Sequence, residues 1–508
     1  MNPLEKARNY EIENKHIVDP ERPVFHFTPP VGWMNDPNGF SSYNKEYHLF
    51  FQYYPYDTVW GTMHWGHAKT KDFISWDYLP CALAPDKPYD QNGCFSGGTI
   101  ELADGRQMII YSGVTPLNYN IENPVEDLPP ESDRYQNQCI AIGDGVDFEK
   151  LEANPYLVAS TVPEGGSLVD FRDPKLWKED DTYYMVISNR PASGLGDVLL
   201  YRSADALHWE YISTLVSNNG DYGKMWECPD IFHLDGKDVV LVSPMEMVEQ
   251  GLEYHNGHIT MALIGDFDKE TGVFHEEVNH AIDYGIDFYS TQSLETYDGR
   301  RVMIAWMQNW KEAEVRMEGL HFFGMNTTPR ELNVVDGRLI QNPVRELEAY
   351  RENQVSYRDV IFGGDSCTDE SCDGNLTIPG ICGRILDLTL ELAPYDDQGY
   401  EKFEVQFAKD EQHHLTLQYE PAKNLITVDR SNCGENQKDL DLGRFLVKDQ
   451  KGQLKLRILL DKYSMEIFAN DGEQAATYVF YTDLAADGIS FKADGQVKMD
   501  ITKFDICK

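Results

Sequence analysis

Trp33-Met34-Asn35-Asp36-Pro37-Asn38-Gly39 sets one carboxylate between two amide side chains and a proline-glycine turn, with a tryptophan three residues upstream. Pro37 has no N–H and biases the residue before it towards extended geometry, while Gly39 permits a tight reversal. The sequence therefore predicts Asp36 at the end of a strand where the chain bends. Four further stretches follow the same plan of a polar strand start, a turn and a strongly apolar strand. They run from Phe95-Ser96-Gly97-Gly98 to Met108-Ile109-Ile110-Tyr111, from Arg172-Asp173-Pro174 to Tyr183-Tyr184-Met185-Val186, from Trp226-Glu227-Cys228-Pro229-Asp230 to Val239-Val240-Leu241-Val242, and from Tyr289-Ser290-Thr291-Gln292 to Val302-Met303-Ile304-Ala305. Counting eight residues back from the turns at Asn44, Asp104, Asp181, Asp235 and Asp298 lands on Asp36, Ser96, Asp173, Glu227 and Ser290. These five positions are expected to be spatially equivalent.

Units of roughly 60 residues built from hairpins with Asp-Gly turns are what a radial all-β repeat requires, because each unit must bury its faces against its neighbours. A weaker echo places an aromatic four residues after an aspartate at Asp72…Trp76, Asp144…Phe148 and Asp205…Trp209. The fold class read from these patterns is all-β, a five-bladed β-propeller over 22–345 in which the five equivalent positions line one axial cavity. Residues 1–21 read as a polar N-terminal extension, and 346–355 as a linker with Val344, Leu347 and Tyr350 at helical spacing. Residues 356–508 read as a C-terminal β-sandwich, from hairpins such as Ser464–Phe468 turning at Asn470-Asp471-Gly472. The proline-rich segment 116–134 reads as a surface loop over the cavity mouth.

The composition is that of a large folded chain, with 41% hydrophobic and 12% aromatic residues among 508. A net charge of −41 spread along the sequence argues against nucleic acid or an anionic membrane as partner, and not against a neutral small molecule. Met1 to Pro20 has no apolar core of a secretory segment, so the chain is expected to be cytoplasmic, and the nine cysteines are expected to be free buried thiols. No metal site is expected, since Asp36-Pro37-Asn38 lacks the spaced oxygen ligands of a calcium loop. The sandwich is expected to be structural, packing on the propeller or mediating a homo-oligomer.

Two carboxyl groups facing one site are the minimum equipment for cleaving a glycosidic bond. Glu227, flanked by Trp226 and facing two aspartates, is the better candidate acid. Asp36, between Asn35 and Asn38, is expected to remain ionised as nucleophile. Asp173 is expected to be kept ionised by Arg172 and to accept hydrogen bonds from sugar hydroxyls. Arg172 and Asp173 can share the cavity only if their strand is bulged or ends there.

The stretches at Trp33–Gly39, Phe95-Ser96-Gly97, Phe171-Arg172-Asp173-Pro174 and Trp226–Asp230, with Pro329-Arg330-Glu331-Leu332 and Asp461–Gly472, resemble in order the signature motifs of glycoside hydrolase family 32, the β-fructofuranosidases. The resemblance implies hydrolysis of β-D-fructofuranosyl ends with retention and no cofactor, on sucrose, sucrose 6-phosphate or short fructo-oligosaccharides. It carries over Asp36 as nucleophile, Glu227 as acid/base and Asp173 as transition-state stabiliser. Asn35, Gln52, Trp60, Phe95, Ser96 and Arg172 carry over as the fructose pocket, with Trp33, Tyr289 and Trp306 as additions to its wall. The chain departs from the family pattern at Gly98, at Ile286, and at Phe322-Phe323 where a tryptophan is common. Lys224, Lys311 and Arg316 are the residues expected to supply local charge for a phosphorylated sugar. Fructosyl transfer on the same site and a non-catalytic sugar-binding propeller are the alternatives, and the carboxylate trio discriminates against the second.

Overall fold

The computed structural model describes residues 1–17, 19–116, 134–158, 162, 166–311, 319–364, 375–434 and 440–508. Most of the 116–134 segment, together with Arg316, Cys367 and Cys372, therefore lies outside the described residues. Between 32 and 343 the chain forms five antiparallel sheets in succession, one for each sequence unit. Their first strands are β1 (Gly32–Tyr43), β2 (Cys94–Glu101), β3 (Phe171–Glu179), β4 (Trp226–Leu234) and β5 (Tyr289–Glu295). These strands touch in a ring, β1 against β2, β2 against β3, β3 against β4, β4 against β5 and β5 back against β1. The second strands are the apolar runs of the sequence pattern; Val239, Val240, Leu241 and Val242 are wholly buried because both faces of such a sheet pack on neighbours. Each turn before a second strand uses left-handed residues, among them Asn44 and Lys45 (φ 54° and 67°) and Asp235 and Gly236 (φ 51° and 83°). The ring is tied shut by Phe322–Phe323, which comes after the first two strands of the fifth sheet and pairs in parallel with Gly32-Trp33 of the first.

Two more sheets follow, one of six strands and one of five, sharing a core in which Leu388, Leu390 and Ile458 of one meet Phe403, Val405 and Leu417 of the other. The hairpin Ser464–Ala469 with Gln474–Val479 turns through Asn470 and Asp471 at positive φ, as its sequence requires. The connector is tighter than an α-helix, a 3-10 turn over Arg345–Tyr350 that buries Val344 and Leu347, and strand Arg351–Phe362 begins within the stretch assigned to the linker. The N-terminal extension is also more ordered than its polarity suggested. Asn2 caps an α-helix, α1 (Pro3–Asn14), in a reciprocal pair with Glu5, and Pro3 opens it. This helix covers the outer strand Trp76–Leu83 of the first sheet, where Arg8 and Glu11 satisfy the carbonyl and N–H of Cys81.

The sandwich is bolted to the ring by buried charge. His26 sits between Asp461 (3.1 Å) and Glu466 (2.9 Å), Arg330 joins Glu466 (2.7 Å) to Asp283 (2.8 Å), and Arg430 reaches Asp287 (2.8 Å). A Cβ at Gly285 would fall 2.0 Å from the Thr477 carbonyl, so only glycine permits this approach. Burial works against a charge on His26, but hydrogen bonds to Asp461 and Glu466 and their negative charge outweigh it and raise its pKa to about 9.

A group raised this way adds stability that is complete below its unfolded pKa, near 6.5, and is lost as pH climbs through 9. His26→Gln is therefore expected to lower the unfolding temperature by several degrees at pH 6, with the gap to wild type closing by pH 10. Thermal unfolding of both proteins across that range checks this, and a gap independent of pH would contradict it.

Candidate active site

Each first strand breaks its register near its start, at the ring axis. The ladder slips between Met34 and Pro37, Phe95 and Gly97, Arg172 and Lys175, Glu227 and Asp230, and Tyr289 and Gln292. Asp173, Cys228 and Ser290 sit in these bulges at φ 62°, 48° and 54°. A bulge lets neighbours in sequence face the same side, and it is how Arg172 and Asp173 both line the cavity. By register Glu227 matches Arg172 and Tyr289, while Asp173 matches Cys228 and Ser290. The count from the turns thus slips by one residue between the third and fourth sheets, because Asp181 is the second residue of its two-residue turn and Asp235 the first of its own. At Gly98 a Cβ would fall 2.9 Å from the Pro174 carbonyl, so this departure from the family pattern matches the close approach of β2 to the bulge of β3.

A cavity of about 280 Å³ opens over the bulges, lined by Asp36, Asp173 and Glu227. Asn35, Gln52, Trp60, Phe95, Ser96 and Arg172 line it too. Glu227 is held at both oxygens. Arg172 donates to Oε1 from Nε (3.0 Å) and from its terminal nitrogen (2.9 Å), and the Tyr289 hydroxyl lies 2.6 Å from Oε2 and 3.1 Å from the Ser243 carbonyl. Asp36 Oδ2 accepts from Ser96 Oγ (3.2 Å), and its Oδ1 accepts no hydrogen bond among the described residues. The Cys228 N–H donates to Asp173 Oδ2 (3.1 Å), and its sulfur stands 3.8 Å from an oxygen of both Asp173 and Asp36.

Three carboxyl groups around one hollow perturb one another. Burial, then the charge of Glu227, pushes Asp36 up to about 6, against the pull of its hydrogen-bonding neighbours. Asp173 is raised as well, by burial first. The Arg172 guanidinium pulls the other way but is outweighed by burial and by the charges of Glu227 and Asp36, since its hydrogen bonds go to Glu227 and Asp170 and it comes no nearer to Asp173 than 3.9 Å.

The remaining wall differs from the expected one. Trp33 and Trp306 do not line the cavity but form a wholly buried layer, with Trp33 stacked on Phe323 at 4.8 Å and donating to Asn35 Oδ1 at 2.8 Å. Phe323 thus fills the space beneath Trp33. Tyr289 is also absent from the lining and acts on Glu227 from below. The wall instead gains Met63, Arg134, Gln136, Met245, His258 and Trp310, which no motif marked. Alternation along Arg134–Gly143 was the one available signal, since it puts residues 134, 136 and 138 on one face. Lys224 pairs with the exposed Glu246 at 2.5 Å and does not line the cavity.

A ring of β-sheets with paired carboxylates at its axis and a β-sandwich behind it defines a carbohydrate-cleaving class of protein. Two family models match, the glycosyl hydrolases family 32 N-terminal domain over residues 26–343 and the family 32 C-terminal domain over 346–508. The chain is 34% identical to a raffinose invertase of Escherichia coli, over 94% of each chain, and 33% identical to a sucrose-6-phosphate hydrolase of Zymomonas mobilis, over 92% of this chain and 88% of the relative. The solved Bombyx mori GH32 beta-fructofuranosidase superposes with a TM-score of 0.81 at 32% identity, covering 99% of this chain and 98% of that one. The chain belongs to glycosyl hydrolase family 32.

In the free protein Asp36 is expected to titrate near pH 6, and Glu227→Gln, by removing an opposing negative charge, is expected to lower that value. Carboxyl NMR titration with Asp36→Asn as the assignment control checks this. A wild-type value near 4, the ordinary one for aspartate, would contradict it.

Proposed function

We propose that this glycoside hydrolase is a retaining β-fructofuranosidase that releases terminal fructosyl units from sucrose, sucrose 6-phosphate or short fructo-oligosaccharides. The reading is carried by Glu227, fixed at both oxygens, facing the same cavity as the Asp36 carboxyl group. The ring of five sheets is read as a five-bladed propeller. The substrates named for the relatives, raffinose invertase and sucrose-6-phosphate hydrolase, support the choice of fructosides.

In the first half-reaction the Asp36 carboxylate attacks the anomeric carbon of the fructosyl ring while Glu227 gives its proton to the departing oxygen. The ester that forms uncharges Asp36, which removes a negative neighbour from Glu227 and lets the carboxylate take a proton from water in the second half. Asp173, beside Cys228, accepts hydrogen bonds from ring hydroxyls that tighten as the ring gains positive charge. Asn35, Gln52, Trp60, Phe95 and Ser96 enclose the fructose, with Trp33 and Trp306 as the rigid layer under Asn35.

A cytoplasmic site of action is part of the same reading. It is supported by thiols left free at Cys81, Cys94, Cys139, Cys228, Cys382, Cys433 and Cys507. Among the described residues no helix is long and apolar enough to cross a membrane. The outer strand Leu442–Leu446 of the sandwich, with Leu442 and Leu446 exposed, supports self-association through that domain.

Glucose release from sucrose is the direct assay. Wild type is expected to be active, and Asp36→Asn and Glu227→Gln are each expected to lose about 10³-fold or more while keeping their circular dichroism and unfolding temperature. Full activity in either folded variant would refute the assignment.

A further inference from the structure

Trp310 lines the cavity but stands on no strand, since Arg301–Trp306 of the fifth sheet has already ended. A loop side chain makes a firm wall only when its surroundings fix it. Here much of the fixing comes from the β-sandwich. Met307, just past the strand, packs on Val479 and Tyr481 of that domain. Asn309 is nearly buried, and its Nδ2 donates to Asp287 Oδ1 (2.7 Å) while its Oδ1 accepts the N–H of Lys311 (3.0 Å). One amide side chain thus holds the chain on both sides of Trp310. The other oxygen of the wholly buried Asp287 belongs to the sandwich, accepting from Arg430 Nη1 (2.8 Å) and from the Val479 N–H (2.8 Å). Arg430 is itself locked in place, donating to the Leu440 carbonyl from Nε (3.2 Å) and Nη2 (3.1 Å).

The backbone of Trp310 is therefore tied, through Asn309 and Asp287, to a guanidinium in the other domain. Its ring is braced by Trp306, with centroids 4.9 Å apart, and by Trp33 at 6.1 Å. A wall ordered before the ligand arrives spares the ligand the cost of ordering it. We propose that the β-sandwich takes part in sugar binding, with Arg430 a positioning residue that acts through Asp287 and Asn309 to present Trp310 as a fixed apolar face to the sugar. This deepens the fructosidase reading and rests on it. An indole face packs on a sugar ring before and during reaction alike, so the relay acts on affinity and leaves the chemical step alone.

The test is a double-mutant cycle on kcat and KM for sucrose. It uses Trp310→Ala, Asn309→Ala and Arg430→Met, and combines each of the last two with Trp310→Ala. His26→Gln, which weakens the same domain junction outside the relay, controls for lost stability. Each of the three single variants is expected to raise KM roughly fivefold with kcat within about twofold of wild type, and His26→Gln to change neither. In the Trp310→Ala background the other two substitutions are expected to add nothing, because they act through the missing ring. Should Arg430→Met fail to fold, with Asp287 left buried without its cation, Asn309→Ala keeps that ion pair and carries the test. An unchanged KM in folded Asn309→Ala, an effect as large without Trp310 as with it, or an equal rise in His26→Gln overturns the proposal. A wild type that turns over no sucrose fails the fructosidase reading instead.

Discussion

Everything at the centre of this protein depends on one arginine among four carboxylates. Arg172 is nearly buried and gives its donors to Glu227 and Asp170, while Asp173 beside it and Asp36 across the hollow go without. A buried charge without partners is costly, and the guanidinium's hydrogen bonds go to Glu227 and Asp170 and not to Asp36 or Asp173. Glu227 is anchored, whereas Asp36 and Asp173 are raised by burial. Catalytic acids of unequal character thus arise from similar side chains by placement alone.

That placement is made by the backbone. Bulges at the inner ends of the first strands turn consecutive residues towards the axis, and the positive φ values of Asp173 and Cys228 are the local strain this requires. The strain is carried by the antiparallel ladders further out, by the close approach of β2 at Gly98, and by the stack of Trp33 on Phe323. Behind the ring, the His26–Asp461–Glu466–Arg330 cluster joins the sandwich to the first and fifth sheets, which supply the nucleophile strand and Tyr289.

Much of this was legible in the sequence. Tight hairpin turns need left-handed geometry, which Asn44 and Asp235-Gly236 tolerate, so the repeat could be counted and the acids placed on inner strands. The motifs at Asp36, Asp173 and Glu227 carried the family with them. The register of Glu227 against Asp173 slipped because the count began at the second residue of one two-residue turn, Asp181, and at the first of the other, Asp235. Trp33 and Trp306 were placed on the wall by the family resemblance alone, and burial makes them a layer under it. Arg134, Gln136, Met245 and His258 reach the cavity from second and third strands and the connections beyond them, where no motif marks them. The helix α1 did carry a signal, Asn2-Pro3-Leu4-Glu5, which is a capping box with proline at the first turn; overall polarity outweighed it.

The central claim is that Asp36 becomes covalently bonded to the sugar during turnover. Mass spectrometry of peptides from protein acid-quenched while hydrolysing an activated fructoside tests it most directly. One added fructosyl unit is expected on the peptide containing Asp36; a label on any other residue, or none under conditions where deglycosylation is rate-limiting, would contradict this.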